Sequence, residues 1–346
     1  MLLQPLSRTF ATAQRLGLAG VWADGSLAVR GWYYGSPLYR WLQHDDYIPQ
    51  TLLLNPPAWR KGQATTGKEL AHNRFTFGGQ TLAMGHEVDW DPPTMPARWV
   101  DALHSFSWLV DLQALPKDAG RDHARALILS WLHTHPYYRP RTWGNGLQAR
   151  RLCHWLSAAA WLLDDAPASW RLEFLLAINH HANLLPLTLP WHRPNLAWLE
   201  HLVALVVVGL TLPQHQNFAL DGLVLLKTQC KTLLQADGGL RSRDLNDQLG
   251  FIQLLQYLQV LLKQAGHPAL AEFEEALELL CQSLAQLQHP SGQLAGFGGV
   301  DTDQAPELDA AFRLADFSPT RQTTFLPQTG YARLQQGEGV VLVDAG

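Results

Sequence analysis

The sequence has few charged residues and few cysteines. Charged side chains make up 16% of its 346 residues, against about 25% in an average soluble protein, so the surface must depend on uncharged polar and aromatic groups. The three cysteines, Cys153, Cys230 and Cys281, stand in apolar helical stretches without a C-x-x-C pair. This pattern argues against a zinc knuckle or a redox motif and predicts buried thiols.

Long apolar runs and basic runs are also missing. No run approaches the ~18 apolar residues that a membrane span needs, and the longest, at 202–212, is predicted to be a buried helix. The net charge of −4 and the lack of Lys/Arg runs argue against a nucleic-acid partner. Arg8 and Arg15 interrupt the apolar N-terminal stretch, so we see no signal peptide. The sequence leaves the oligomeric state open.

Tryptophan is abundant, with fourteen residues in the chain. Such rings either fill a core or line a carbohydrate cleft, where aromatic faces stack on sugars, and the sequence leaves both interpretations open.

The hydrophobic pattern divides the chain into four predicted parts. The first, 1–95, is irregular apart from a short strand pair at 73–82. The second, 96–290, has a period of 3.6 residues, with stops at Gly and Pro between long helices, and its short links predict antiparallel helix hairpins. A segment that is apolar all round, 203–208, predicts an inner helix layer.

The remaining parts are a linker with one short helix at 291–325 and a β-hairpin at 326–346, whose strands are predicted at 330–334 and 340–344. Helices are predicted at 97–115, 120–135, 146–164, 169–186, 195–212, 217–236, 246–265 and 268–288.

Several segments, in their order along the chain, resemble the heparinase II/III-like family of polysaccharide lyases. The helix ARRLCHWLS at 149–157 is similar to the family's ARRL-x-x-WL helix, and the loop HPSGQLAGF at 289–297 is similar to its H-x-D-G-x-L-A-x-F loop. The other segments lie at 99–109, 236–239 and 330–346. The resemblance implies an incomplete (α/α) toroid of antiparallel helix hairpins, with a C-terminal β-hairpin that starts a β-sandwich.

The resemblance also implies β-elimination on uronate-containing polysaccharides. A donor neutralises the uronate carboxylate, a base removes the C5 proton, and an acid protonates the leaving glycosidic oxygen. Members of the family use Asn or His for the first task, and Tyr and His for the others. We predict no cofactor. The His133-x-His135 spacing resembles a metal pair, but the sequence offers no evident third ligand, and we predict no metal site.

The match is incomplete at the positions that would carry the chemistry. Asn195 is present, but Leu196 stands where the family has His, and Asp247 and Gln248 stand in place of Tyr and His. The catalytic candidates are therefore Asn195, His192 and Asp247. Asn195 is equally a helix N-cap, and His192 is equally a solvated loop residue.

Candidates for substrate contact combine aromatic rings, cations and a polar pair near a helix start. Arg241 and Arg243 alternate after a Gly-Gly turn, and in an extended stretch they would share one side and bind a carboxylate or sulfate. Both are equally solvated loop residues. The remaining candidates are Trp143, Trp191, Arg193, Glu200 and His201.

Three functions remain open at this point. The first is a lyase relative that performs β-elimination on an acidic, uronate-containing polysaccharide. The second is a catalytically silent glycan-binding or scaffold protein on the same toroid, and the third is a glycoside hydrolase with paired carboxylates among Glu200, Asp244 and Asp247. The resemblance suggests the bacterial cell envelope or periplasm, while the lack of a visible signal peptide leaves the cytoplasm open.

Overall fold

A computed structural model describes residues 49, 51–144, 146–187, 195–297 and 305–346. The predicted fold class, mainly α with a short C-terminal β-element, is confirmed. The chain forms two compact units: unit 1 comprises Met1–Arg193 with Thr211–Gln216, and unit 2 comprises Pro194–Leu210 with Asn217–Gly346. Among the described helices, none combines the length and apolarity needed to cross a bilayer. The four predicted domain limits stay predictions.

The described part of unit 1 contains helices and one antiparallel strand pair. The strand pair matches the one predicted at 73–82 and joins Arg74 to Ala83 and Phe77 to Gln80. The elements are α1 (Ala64–Leu70), β1 (Arg74–Phe77), β2 (Gln80–Ala83), α2 (Ala97–Ser105), α3 (Leu109–Gln113), α4 (Arg121–Thr134), α5 (Pro140–Trp143), α6 (Leu147–Leu163) and α7 (Ala168–Leu184).

The helix predicted at 97–115 is divided into α2 and α3. Phe106 lies between them with φ 58°, in the left-handed region that ends a helix. A left-handed backbone costs an aromatic residue about 1–2 kcal/mol. Packing offsets that cost, because the Phe106 side chain is fully buried and its ring centroid lies 5.6 Å from that of Trp90 and 5.4 Å from that of Trp155.

Most of the tryptophan rings described in unit 1 belong to the core. Trp131 lies at its centre, with ring centroids 6.0 Å from Phe106, 5.9 Å from Trp143 and 5.7 Å from Trp155. The buried tryptophans of this unit are Trp90, Trp99, Trp108, Trp131, Trp143, Trp155, Trp161 and Trp170.

Unit 2 contains a buried helix, α8. The apolar segment predicted to be an inner helix is buried, since none of the residues at 202–208 is more than 3% exposed. The elements are α8 (Leu196–Thr211, whose last residue belongs to unit 1), α9 (Asn217–Leu233), α10 (Leu245–Gln264), α11 (Ala271–Gln286), α12 (Ala305–Leu314), β3 (Thr324–Leu326), β4 (Tyr331–Gln336) and β5 (Gly339–Asp344).

Helices α9 and α11 end in loops with the same hydrogen bonds. In the first loop, the amide of Gln235 donates to the carbonyl of Gly239 at 2.8 Å. In the second, 54 positions later (289 minus 235), the amide of His289 donates to the carbonyl of Gln293 at 2.8 Å. The two loops therefore repeat in structure. A β-bridge closes each loop, Leu234 with Leu240 and Gln288 with Leu294.

A three-stranded antiparallel sheet contacts both of these loops. The predicted hairpin forms β4 and β5, and β3 adds a strand that the sequence did not indicate. Arg333 on β4 is 2% exposed and donates to the carbonyl of Gln288 at 2.7 Å. The opposite face of the sheet is exposed and apolar, with Phe325 at 59%, Leu334 at 51% and Val341 at 57% exposure.

Asp237 fastens the first loop to the chain that precedes β4. One carboxylate oxygen accepts from the amides of Gln328 and Thr329 at 2.8 Å each, and the other accepts from Gly239 at 3.2 Å. Asp237→Ala should lower the free energy of unfolding by about 2–3 kcal/mol, because three backbone donors, two of them half-buried, lose their acceptor. Urea unfolding measures the change. Asp309→Ala, at an exposed position of α12, is the control, and equal losses in both variants would contradict the assignment.

Candidate functional site

The start of α8 carries the first candidate, Asn195. Its side-chain Oδ1 accepts a hydrogen bond from the Trp198 amide at 3.0 Å, so Asn195 is the N-cap of the helix. The cap uses only the oxygen and leaves the Nδ2 hydrogens for another acceptor. Asn195 is exposed, so a ligand in solution can reach this amide.

The starts of α8 and α10 touch through Leu196 and Gly250. A Cβ atom built on Gly250 would lie 2.6 Å from Cδ2 of Leu196, which shows how closely this side chain covers the glycine. Asp247 lies one turn before Gly250 and on the same side of α10. The structure therefore brings the helix starts that carry Asn195 and Asp247 together. The Leu196 side chain, which stands where the family has His, therefore packs against Gly250.

Two carboxylates occupy the first turn of α10. Asp244 caps the helix, accepting from the amides of Asn246 at 2.8 Å and Asp247 at 3.3 Å. Burial raises the pKa of the Asp247 carboxyl, and the negative charge of Asp244 raises it further. A carboxylate with a raised pKa is a stronger base than an ordinary surface Asp, which suits proton abstraction.

The two arginines after the Gly-Gly turn have separate environments. The stretch is a turn, and Arg243 has φ 58°, so the expectation of an extended segment with both side chains on one side was wrong. The guanidinium of Arg243 pairs with Asp344 and lies 4.9 Å from the ring centroid of Tyr331. Arg241 is exposed, so of the pair it is Arg241 whose side chain faces solvent.

Three other candidates are buried. Glu200 is 8% exposed and His201 is 1% exposed, both in the first half of α8. Trp143 belongs to unit 1, where it is 1% exposed and stacks on His181 with ring centroids 4.2 Å apart. The side chains of Glu200, His201 and Trp143 are therefore shielded from solvent. Trp191, His192 and Arg193 lie outside the described residues.

Gln248, which stands where the family has His, has a structural role. Its side chain is 2% exposed, and Nε2 donates to the carbonyls of Gly238 at 3.3 Å and Leu280 at 3.0 Å. It therefore joins the start of α10 to the first repeat loop and to α11.

Sequence reasoning missed Tyr331, which lies next to Arg243. Its hydroxyl donates to the Arg243 carbonyl at 2.8 Å, and its ring stacks on Phe297 with centroids 5.4 Å apart. The residue is 3% exposed, and burial raises the pKa of the Tyr331 phenol. The contact joins positions 88 residues apart, so no local pattern in the sequence could have indicated it.

A second polar cluster, also missed, lies in unit 1. Asp91 Oδ2 accepts from Nε2 of His135 at 3.0 Å, and Asp91 Oδ1 lies 3.5 Å from Nε2 of His104. His133, the other half of the predicted pair, instead contacts Glu173 at 2.8 Å. The members of the cluster come from distant parts of unit 1, and their sequence spacing does not match a known motif.

The composition of this cluster, one carboxylate and two imidazoles, raises the question of a metal ion. Nδ1 of His104 accepts a hydrogen bond from Nε1 of Trp131 at 2.9 Å, in the core. A neutral imidazole that accepts at Nδ1 carries its proton on Nε2, the atom that faces Asp91. A metal-bound histidine normally has the opposite arrangement and donates from its second nitrogen. The cluster is therefore better described as a carboxylate that accepts from His135 and faces the N–H group of His104.

Comparison with solved structures defines the fold class of the chain. It superposes on the crystal structure of heparinase III with a TM-score of 0.66 and 14% identity, over 99% of this chain and 60% of that one. The heparan sulfate lyase HepC from Pedobacter heparinus gives a TM-score of 0.54 and 14% identity, over 97% of this chain and 58% of that one. These neighbours have a helical toroid fold, so the toroid in the predicted fold class is confirmed. Identities at this level show the fold alone.

One curated relative is similar in sequence. The chain is 26% identical over 302 residues to FtsZ-localized protein C of Caulobacter vibrioides (strain NA1000 / CB15N), covering 86% of this chain and 51% of that protein. The chain thus spans about half the length of this relative and about 60% of the heparinase structures. No protein-family profile matches the chain.

Proposed function

We propose that the protein is a polysaccharide-lyase relative that acts on an acidic, uronate-containing polysaccharide by β-elimination. The observation that carries the proposal is the contact between the starts of α8 and α10, which brings together an exposed amide donor, Asn195, and a carboxylate with a raised pKa, Asp247. The heparinase-type fold supports this choice of chemistry.

In this proposal each residue has one task. The Nδ2 group of Asn195 donates to the uronate carboxylate and so acidifies the C5 proton. Asp247 accepts that proton, the C5–H electron pair forms the C4–C5 double bond, and the C4–O bond breaks. The leaving oxygen takes a proton from solvent, and Arg241 contributes a cation that attracts the acidic chain. The catalytic role predicted for His192 stays a prediction. The contact roles predicted for Trp143, Trp191, Arg193, Glu200, His201 and Arg243 stay predictions.

The test is an assay for the unsaturated product. Purified protein is incubated with a panel of uronate polymers, and the ultraviolet absorbance of the new C4–C5 double bond is followed. We expect absorbance to rise with an acidic polymer and to stay flat with a neutral one. New reducing ends without absorbance would indicate hydrolysis. Binding of the polymer without either product would indicate a glycan-binding protein that does not cleave it.

Asn195→Ser separates the two tasks of this side chain. Serine retains the N-cap, because its hydroxyl oxygen can accept from the helix amide, but it lacks the amide donor. We expect kcat to fall by roughly 100- to 1000-fold, the usual cost of one oxyanion donor, with little change in thermal stability. Asn195→Asp, which keeps the cap and adds a like charge, should also raise KM. Full activity in both variants would remove Asn195 from the site.

A second candidate function is favoured by the sequence comparison. Identity to FtsZ-localized protein C is 26%, against 14% to the heparinase structures. We propose as the alternative that the protein is a scaffold that localises with FtsZ. A fluorescent fusion and co-sedimentation with FtsZ polymers test it. Localisation at the division site without any unsaturated product supports the scaffold, and a diffuse signal with active lyase supports the enzyme.

A further inference from the structure

The segment between β2 and α2, residues 85–96, is here called the strap. Two of its side chains fasten its middle to the helices of unit 1. Trp90 is 1% exposed, and its Nε1 donates to Ser130 Oγ at 3.1 Å. Asp91 accepts from Nε2 of His135, after α4, at 3.0 Å and lies 3.5 Å from Nε2 of His104 on α2. Among the described residues, no backbone hydrogen bond joins the middle of the strap to a helix.

The two histidines under the strap are closed off from water. His104 is 1% exposed and His135 is fully buried, whereas the Asp91 side chain is 45% exposed. The Trp90 ring centroid lies 6.4 Å from that of His104. Trp90 and Asp91 therefore cover imidazoles that would be wet if the strap were released.

We propose that residues 85–96 form an acid-released strap, held closed by Asp91 through two buried neutral histidines and opened when these histidines take up protons. Protonation of either imidazole is disfavoured while the strap is closed, because both are buried and Arg151 lies nearby.

Burial and the neighbouring cations favour neutral imidazoles while the strap is closed, and only the Asp91 carboxylate opposes them. Burial, then the charges of Arg151 on α6 and of the other histidine, lower the pKa of His104 to about 3. Burial also lowers the pKa of His135, and Arg139 and Arg151 add to this, against the opposing effect of Asp91. Asp91 itself has a lowered pKa, despite burial, because His135 donates to it and the charges of both imidazoles attract it.

Release of the strap restores ordinary pKa values to both imidazoles, about 6.5. Below that pH the open form binds protons that the closed form excludes, so the opening constant rises as pH falls. Each histidine contributes about a tenfold rise per pH unit, and two contribute up to about a hundredfold. Above pH ~6.5 the opening constant should be flat.

The experiment measures opening by thiol labelling of the full chain. Val88→Cys places a buried thiol on the strap itself, since Val88 is 9% exposed. The labelling rate is divided by that of a free thiol at the same pH. The ratio corrects for the effect of pH on the reactivity of the thiol itself. Cys153, buried on α6, reports unfolding of unit 1 in the same sample. We expect the corrected labelling rate at position 88 to rise 10- to 100-fold per unit fall in pH between pH 6.5 and 5. This rise should occur at a higher pH than the rise in labelling of Cys153.

Two further variants decide the mechanism. His135→Gln removes one titrating group, so the pH slope should fall by about half on a logarithmic scale. His133→Gln changes an exposed histidine that pairs with Glu173 and should leave the slope intact. A flat response at position 88, a response that follows Cys153 at every pH, or an equal effect of both glutamine variants would overturn the proposal.

Discussion

Lowering the pH from 7 to 4.5 is expected to remove roughly 8 kcal/mol from the stability of unit 1, because three buried histidines each contribute about 2–3 kcal/mol. Burial lowers the pKa of His104 and of His154 to about 3 and that of His215 to about 4. Nearby arginines lower the pKa values of His104 and His154 further. The unfolded chain binds these protons near pH 6.5, so stability is complete above that pH and is lost as pH falls.

Urea unfolding at pH 7 and pH 4.5 measures this loss. His154→Gln removes one titrating ring and should reduce the difference between the two pH values by about 2–3 kcal/mol. His267→Gln, at an exposed position, should leave the difference unchanged. Since a domain has a total stability of about 5–15 kcal/mol, we expect acid unfolding of the wild-type protein near pH 4–5. A stability that does not change across this range would contradict the burial of these rings.

Asp247→Asn is expected to reduce the rate of uronate elimination by roughly 10²- to 10⁴-fold, which is the usual contribution of a general base. The substitution keeps the shape of the side chain and removes its ability to accept a proton. KM should change little, because the base acts on the C5 proton and not on the carboxylate. The rate of appearance of the unsaturated product, measured at saturating substrate, checks this expectation.

Asp221→Asn is the matched control for this variant. Burial raises the pKa of Asp221 as it does that of Asp247, but Asp221 lies on α9, away from the start of α10. A pH–rate profile adds a second readout, since the acidic limb of the wild-type profile should follow the raised pKa of Asp247. Similar rate losses in both variants, or an unchanged acidic limb in Asp247→Asn, would assign the base elsewhere.

The helices could be predicted from the sequence because their apolar periodicity and their Gly and Pro stops are local. The break at Phe106 could not, since its left-handed backbone depends on packing against Trp90 and Trp155 from other parts of unit 1. The burial of the segment at 202–208 followed directly from its apolar composition.

The candidate site was predictable only in part. Asn195 as a cap follows from its position before an apolar helix. The contact between Leu196 and Gly250 joins residues 54 positions apart, and the pairing of Arg243 with Asp344 joins residues 101 apart. Such contacts depend on the tertiary structure. Alternation alone wrongly placed Arg241 and Arg243 on one side, because it assumed an extended backbone.

The exposed face of the C-terminal sheet has a practical consequence for work with this polypeptide. Phe325, Leu334 and Val341 present three large apolar side chains to water on one flat surface, next to an unpaired strand edge. Surfaces of this kind adhere to one another, so concentrated samples should self-associate. Val341→Lys would place a charge in the middle of the surface and should keep the polypeptide monodisperse in light scattering.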